Sequence, residues 1–338
     1  MMEFGFRLLT IFAFLFVALG VTCLAAQSSE DYWKKLLPNT VMAKTIHESL
    51  KSEGGTGVHV GNQGVDVSVG KPGTGSTDVH VGKGGASVNT RPKGKHTSVY
   101  VHPKGNPFIY QYAATKTQLQ ANQNVALFFQ EKDLKLGTQM NLHFTKTTNN
   151  ETPLLPRKIV ESIPFSSNKM PEILSRFEVA PDSEEAKVMK ETIKECEAKG
   201  IEGEEKYCAT SLESMVDYAT SKLGKKLDVV STYVEKKKGM QNYVFTGVKK
   251  ISNSKAMICH KMNYACVVFY CHKTETTKTY MVSLVGNDGT KVKAAVICHI
   301  DTSKWNPKHL AFQVLKVKPG TVPICHFLPE DHIVWVSK

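Results

Sequence analysis

The sequence predicts an α+β protein. A mostly antiparallel sheet or barrel-like C-terminal domain carries an early helix pair and is preceded by a disordered Gly/Val repeat region. Three observations predict this. Two amphipathic helical patterns with start and stop signals lie between residues 182 and 224. From Leu227 onward the apolar pattern turns to short runs separated by turn residues, as strands require. Residues 54–105 repeat a Val-x-Val core among glycines and offer little to bury. Helices that precede a run of strands, rather than alternating with it, give α+β.

The chain starts with a targeting pattern over residues 1–26. Arg7 supplies the positive charge, Leu8-Leu9 and residues 11–21 the apolar run, and Cys23-Leu24-Ala25 or Leu24-Ala25-Ala26 the cleavage region. The run is short for a membrane span and no second one follows, so the expected product is soluble and exported. Residues 27–53 form a short N-terminal segment. Tyr32, Trp33, Leu36 and Leu37 fall at helical spacing up to Pro38, and Val41, Ile46 and Leu50 suggest a second helix before Gly54-Gly55. In the repeats, Val58-His59-Val60-Gly61, Val65-Asp66-Val67, Val79-His80-Val81-Gly82 and Val99-Tyr100-Val101-His102 favour extended backbone while the glycines oppose packing. A flexible, partly extended linker follows. Residues 106–126 are a bridge in which Phe108, Tyr110 and Tyr112 alternate, so an extended segment puts all three on one face.

The folded domain covers 127–338. Residues 125–129 and 140–144 read as strands, Asn150-Glu151-Thr152 is a glycosylation sequon, and a short helix starts at Pro171. Asp182 with Glu185, and Thr210 with Glu213, have capping-box spacing. Ala186, Met189, Ile193 and Cys196 form the first helix's apolar stripe, which Gly200 stops. Leu212, Met215, Val216, Ala219 and Leu223 form the second, ended by Gly224. A Cys196–Cys208 disulfide would tie the two helices together, worth about 3 kcal/mol for a loop of this size. Strands follow over 228–234 and 243–248, then a hairpin turning at Asn287-Asp288-Gly289, then 310–317 and 333–336.

The last third contains the dipeptide Cys-His four times: Cys259-His260, Cys271-His272, Cys298-His299 and Cys325-His326. Ten residues separate the first two pairs and twenty-five each later one. Each pair lies in an apolar run with strand character, and adjacent side chains of a strand point to opposite faces. Each pair therefore sends its thiol one way and its imidazole the other. On a shared sheet, four thiols would gather on one side and four imidazoles on the other, as disulfides behind a metal site would. Imidazole suits copper, zinc, iron or nickel, and cysteines oxidised in pairs leave no thiolate ligands. Export permits such oxidation. Without Cys23, seven cysteines remain, and Cys266 stands outside every pattern as a buried apolar thiol.

This spacing, with Leu127-Phe128-Phe129, Glu131 and Asp133-Leu134 ahead of it, resembles the BURP domain of secreted plant proteins over residues 127–338. Tyr32-Trp33-Lys34-Lys35, Leu37-Pro38-Asn39-Thr40, the Thr-x-Val repeats and the stretch Phe108-Ile109-Tyr110-Gln111-Tyr112-Ala113-Ala114 resemble the dehydration-responsive branch of that family. The resemblance implies His260, His272, His299 and His326 as copper ligands, with Cys259, Cys271, Cys298 and Cys325 as their disulfide-forming supports. Some BURP domains are copper-dependent peptide cyclases, which implies Tyr100, Tyr110 or Tyr112 as a crosslinking substrate in this chain. The repeats, however, hold no repeated aromatic core of the kind those cyclases process.

The formal charge of +12 is spread along the chain without a dense basic arm. For an exported protein the acidic partners on offer are uronic-acid polysaccharides of the cell wall or membrane headgroups, not nucleic acid, and the same balance fits a generally solvated basic surface. There is no GxSxG elbow and no glycine loop for phosphate before a helix. The expected protein is thus a secreted, non-catalytic component of the cell wall or apoplast (or the vacuole), acting in dehydration or other abiotic stress. Autocatalytic cyclisation is the alternative. His143, His309 and His332 stand apart from any pattern and read as packing or surface residues.

Overall fold

The computed structural model describes residues 28–50, 57–61, 64–70, 76–82, 85–91, 110, 128–146, 154–236, 239–253 and 255–338. Tyr100, Tyr112, Asn150 and the targeting segment lie outside these. The chain opens with α1 (Ser29–Leu36) and α2 (Lys44–Leu50), then β1 (Gly57–Gly61), β2 (Gly64–Gly70), β3 (Ser76–Gly82) and β4 (Gly85–Arg91). Next come β5 (Phe128–Gln130), β6 (Gln139–Leu142), α3 (Arg157–Val160), α4 (Met170–Arg176), α5 (Glu184–Glu197), β7 (Glu205–Ala209) and α6 (Leu212–Leu223). The remainder is β8 (Leu227–Val230), β9 (Tyr233–Val234), β10 (Gln241–Asn253), β11 (Ala256–Met262), β12 (Val268–Lys273), β13 (Thr277–Gly286), β14 (Lys291–His299), α7 (Leu310–Leu315), β15 (Ile324–Phe327) and β16 (Ile333–Ser337).

Among the described residues every strand pairing is antiparallel. A seven-stranded sheet runs β5-β15-β14-β13-β10-β6, with β9 also on β14, and a five-stranded sheet runs β7-β12-β11-β16-β8. The larger sheet curls. Phe144, just past the edge strand β6, meets Phe327 of β15 near the opposite edge, with ring centroids 5.7 Å apart. Phe129, Tyr243, Phe245, Val282, Val296, Cys298 and Cys325 fill the resulting concave face. The other face of β14 presents Ala295 and Ile297 to Ala256, Ile258 and Val334 of the smaller sheet. The smaller sheet's far face is covered by α6 and by α1 and α2 from the N-terminus, through Trp33, Leu37, Ile46, Met215 and Trp335. Alternation of strand side chains makes these layers possible: one residue of β14 faces the curl and the next faces the second sheet.

Within the repeats, four segments are described. Their backbone is extended, as Val-x-Val predicts, and β1 to β4 pair in sequence order as an antiparallel meander. Val65 stands opposite Val60 and Val81, and Val79 opposite Val67 and Val88. Each copy thus offers its neighbour the same two-residue period, and glycines stand opposite each other at the strand ends, Gly61 with Gly64 and Gly82 with Gly85.

Three local readings are corrected. Helix α5 is capped by Ser183, whose Oγ accepts from the Ala186 N–H, and not by Asp182. Helix α6 is capped by Ser211 with Ser214, not by Thr210 with Glu213. Glu213 instead turns inward, accepting from Ser29 Oγ at 2.8 Å and from the Arg157 N–H at 3.3 Å. Residues 310–315, expected as strand, form helix α7. His309 Nδ1 accepts from the Ala311 N–H at its start, Lys316 ends it in a left-handed conformation, and Leu310, Ala311 and Phe312 are buried.

Candidate functional site

The four Cys-His pairs divide between the two sheets. Cys259 and Cys271 stand directly opposite each other on β11 and β12, and Cys298 and Cys325 on β14 and β15. Both pairs are disulfide-bonded. The thiols therefore do not gather on one side of one sheet. One bridge sits under the helices and the other inside the curl of the larger sheet. Because each histidine follows its cysteine, all four imidazoles are sent into the layer between the sheets.

There they are buried and close. His260 Nε2 lies 3.1 Å from His272 Nε2, and His299 Nε2 lies 3.3 Å from His326 Nε2. The two pairs face each other, with the rings of His260 and His326 centred 6.3 Å apart. Each Nδ1 is held from behind by a different group. His260 Nδ1 is 2.9 Å from His332 Nδ1, and His272 Nδ1 is 2.9 Å from Glu204 Oε1. His299 Nδ1 is 3.2 Å from the Tyr110 hydroxyl, and His326 Nδ1 is 3.2 Å from the Phe327 carbonyl. Burial, then the neighbouring imidazoles, push His260 and His299 well below the ordinary histidine range. Burial likewise lowers His326 to about 3 and His332 to about 4. His260, His299, His326 and His332 are therefore held as neutral imidazoles near neutral pH.

Several members carry no signal in the sequence pattern. His332 arrives from the turn before β16, and His309 from the start of α7. Trp305 closes the layer, with its ring 5.0 Å from His299 and 4.7 Å from His309. Tyr110, from the bridge, inserts between these groups. It stacks on Trp305 with centroids 4.8 Å apart, lies 4.9 Å from the His272 ring, and is 2% exposed. Burial, reinforced by the Glu204 carboxylate, raises its phenol well above the usual range. The Asn306 N–H donates to the Tyr110 carbonyl at 3.0 Å, fixing the backbone here.

The expected Cys196–Cys208 disulfide is present and joins the last turn of α5 to the edge strand β7, just ahead of α6. Cys266 is unbonded and buried, and burial pushes its thiol up to about 12, so it is not a reactive nucleophile.

Among the described residues, no three His, Cys, Asp or Glu side chains form a ready-made metal site; the imidazoles converge in two pairs. The fit to a metal is one of donor type: four buried rings with Nε2 atoms turned toward one another in pairs suit an imidazole-binding ion. Among the described residues no helix is long and apolar enough to cross a membrane.

Two antiparallel layers, the larger one curled, with histidines between them and a disulfide behind each histidine pair define a BURP-domain protein. The BURP domain model matches residues 127–337, and the chain belongs to that plant family. Over nearly its whole length it is similar to the BURP domain protein RD22 of Arabidopsis thaliana. The two are 46% identical across 94% of this chain and 96% of the relative. BURP domain-containing protein 3 of Oryza sativa subsp. japonica is 54% identical over 72% of this chain and 57% of its own length. BURP domain-containing protein 5 of the same source is 39% identical over 93% of this chain and 88% of its own. The chain is a BURP-domain protein of the RD22 type.

Proposed function

We propose that this is an exported protein of the plant cell wall or apoplast, acting in dehydration or other abiotic stress, whose histidine cluster binds copper. The observation that carries the copper reading is the buried set of His260, His272, His299 and His326, with Nε2 facing Nε2 in each pair. The cysteine sulfurs behind them are committed to disulfides, which leaves imidazole as the donor. Three disulfides suit an oxidising compartment, and the +12 charge suits an acidic polysaccharide partner. Metal analysis of the oxidised mature protein, with intact mass on the same sample, tests this. About one copper per chain with three disulfides intact is expected; a chain that takes up none sinks the reading.

One observation favours a second reading, that of an autocatalytic cyclase. Tyr110 is not on the surface but inside the cluster, its hydroxyl at His299 Nδ1. Copper would supply one-electron oxidation, with dioxygen as the terminal acceptor. The chain's own part is to hold the phenol at His299 Nδ1, with Trp305 stacked on its ring. Aerobic incubation of copper-loaded protein distinguishes the two. Loss of two hydrogens mapping to Tyr110, or to Tyr100 or Tyr112, supports cyclisation. An unchanged mass with copper bound supports the non-catalytic reading.

A further inference from the structure

Glu204 is a buried carboxylate at the end of the loop between α5 and β7; its side chain is 3% exposed. Its Oε1 accepts from the Tyr270 hydroxyl at 3.0 Å and lies 2.9 Å from His272 Nδ1. Its Oε2 accepts from the Ile201 N–H at 3.1 Å. Both oxygens thus take donors, the Tyr270 hydroxyl on Oε1 and the Ile201 N–H on Oε2, as an ionised carboxylate does. An ionised carboxylate only accepts hydrogen bonds. The nitrogen of His272 that faces it is therefore the one that bears hydrogen. In a neutral ring that leaves the lone pair on Nε2, the atom turned toward His260.

The loop is built to hold this carboxylate. The Cys196–Cys208 bridge clasps it across twelve residues of sequence. A Cβ at Gly200 would stand 2.8 Å from Glu204 Oε2, so only glycine leaves the carboxylate its place. The Glu204 N–H also donates to the Ile201 carbonyl at 3.1 Å, closing a tight turn beneath the side chain.

We propose that Glu204 is a positioning residue, which fixes His272 as the Nδ1–H tautomer and aims its Nε2 lone pair into the histidine cluster. Gly200 and the Cys196–Cys208 bridge are its supports. The purpose of the arrangement rests on the reading of the cluster as a copper site; the tautomer assignment does not. A carboxylate behind a metal-binding imidazole orients the ring and raises its basicity, and losing one weakens metal binding by about 10–100-fold.

The test uses the oxidised mature chain and the Glu204→Gln variant. Long-range proton–nitrogen NMR of the histidine rings, recorded without metal, should show His272 with hydrogen on Nδ1 in the parent. In Glu204→Gln, whose amide can donate to Nδ1, it should shift toward Nε2. Copper titration of the same pair should show binding weakened by about 10–100-fold. If Glu204→Gln does not fold, Gly200→Ala displaces the carboxylate without removing its charge and should move the same signals. Tyr270→Phe removes only the other hydrogen bond and should leave them in place. A parent His272 with hydrogen on Nε2, or ring signals unmoved in both Glu204→Gln and Gly200→Ala, overturns the assignment. A parent that binds no copper, yet loses the Nδ1–H tautomer in Glu204→Gln, overturns the copper reading and leaves the assignment standing.

Discussion

Cys298 and Cys325 face each other across β14 and β15, and their bond lies on the face of the sheet opposite to His299 and His326. The neighbours Cys298 and His299 therefore do different work, and their substitutions should differ in kind. His299→Gln, which roughly keeps side-chain volume, should lower copper occupancy with a small change in thermal midpoint. Cys298→Ala should cost about 2–5 kcal/mol of stability through loss of the bridge. Copper analysis alongside denaturant unfolding reads both. Copper binding by His299→Gln equal to the parent's would remove this histidine from the site.

Trp33 and Trp335 meet with ring centroids 5.4 Å apart, and Trp33 is 3% exposed. The Trp33 indole N–H donates to the Thr40 carbonyl, while Thr40 Oγ1 donates to the Leu227 carbonyl. The N-terminal helices are thus part of the core beneath β11 and β16. Trp33→Ala should destabilise the whole domain by about 3–5 kcal/mol. A urea midpoint unchanged in that variant would show that α1 does not contribute to the core.

Glu131 accepts from Lys278 Nζ at 2.9 Å and from the Tyr280 hydroxyl at 2.5 Å. Burial raises its carboxyl, but these two bonds prevail and its folded value lies below the ordinary one. A carboxyl depressed in the folded state adds stability above its unfolded value, about 4.3. That contribution is lost as pH falls through the folded value. Glu131→Gln should therefore cost about 1–2 kcal/mol at neutral pH, with the gap to the parent closing in acid below about pH 4. A gap independent of pH would assign the loss to packing.

The basic balance predicts weak binding to polygalacturonate that weakens with salt. Exposed charges are largely screened by about 0.5 M salt, so retention should be gone there. Binding unaffected by salt, or absent at low ionic strength, would remove the electrostatic account.

The inward aim of the four histidines was legible because strand alternation leaves a Cys-His pair only one way to divide. Their division between two sheets was not, since pairing of β11 with β12 and of β14 with β15 is a tertiary choice. Glu204, Trp305, Tyr110 and His332 come from loops, turns and the bridge, where no period marks which side chain turns inward. The helix caps were misread by one residue because Asp182-Ser183 and Thr210-Ser211 each place two capping residues side by side. Residues 310–315 were misread because a run of six is too short for helical and strand periods to separate.

Both disulfides of the histidine layer link residues directly opposite each other on paired strands. A strand displaced by a single residue would carry its imidazoles to the wrong face, and a bond between opposed positions forbids that displacement. The two bridges thus act as alignment pins. The histidine layer belongs to the oxidised chain, and whatever compartment closes these two bonds also decides where the site comes into being.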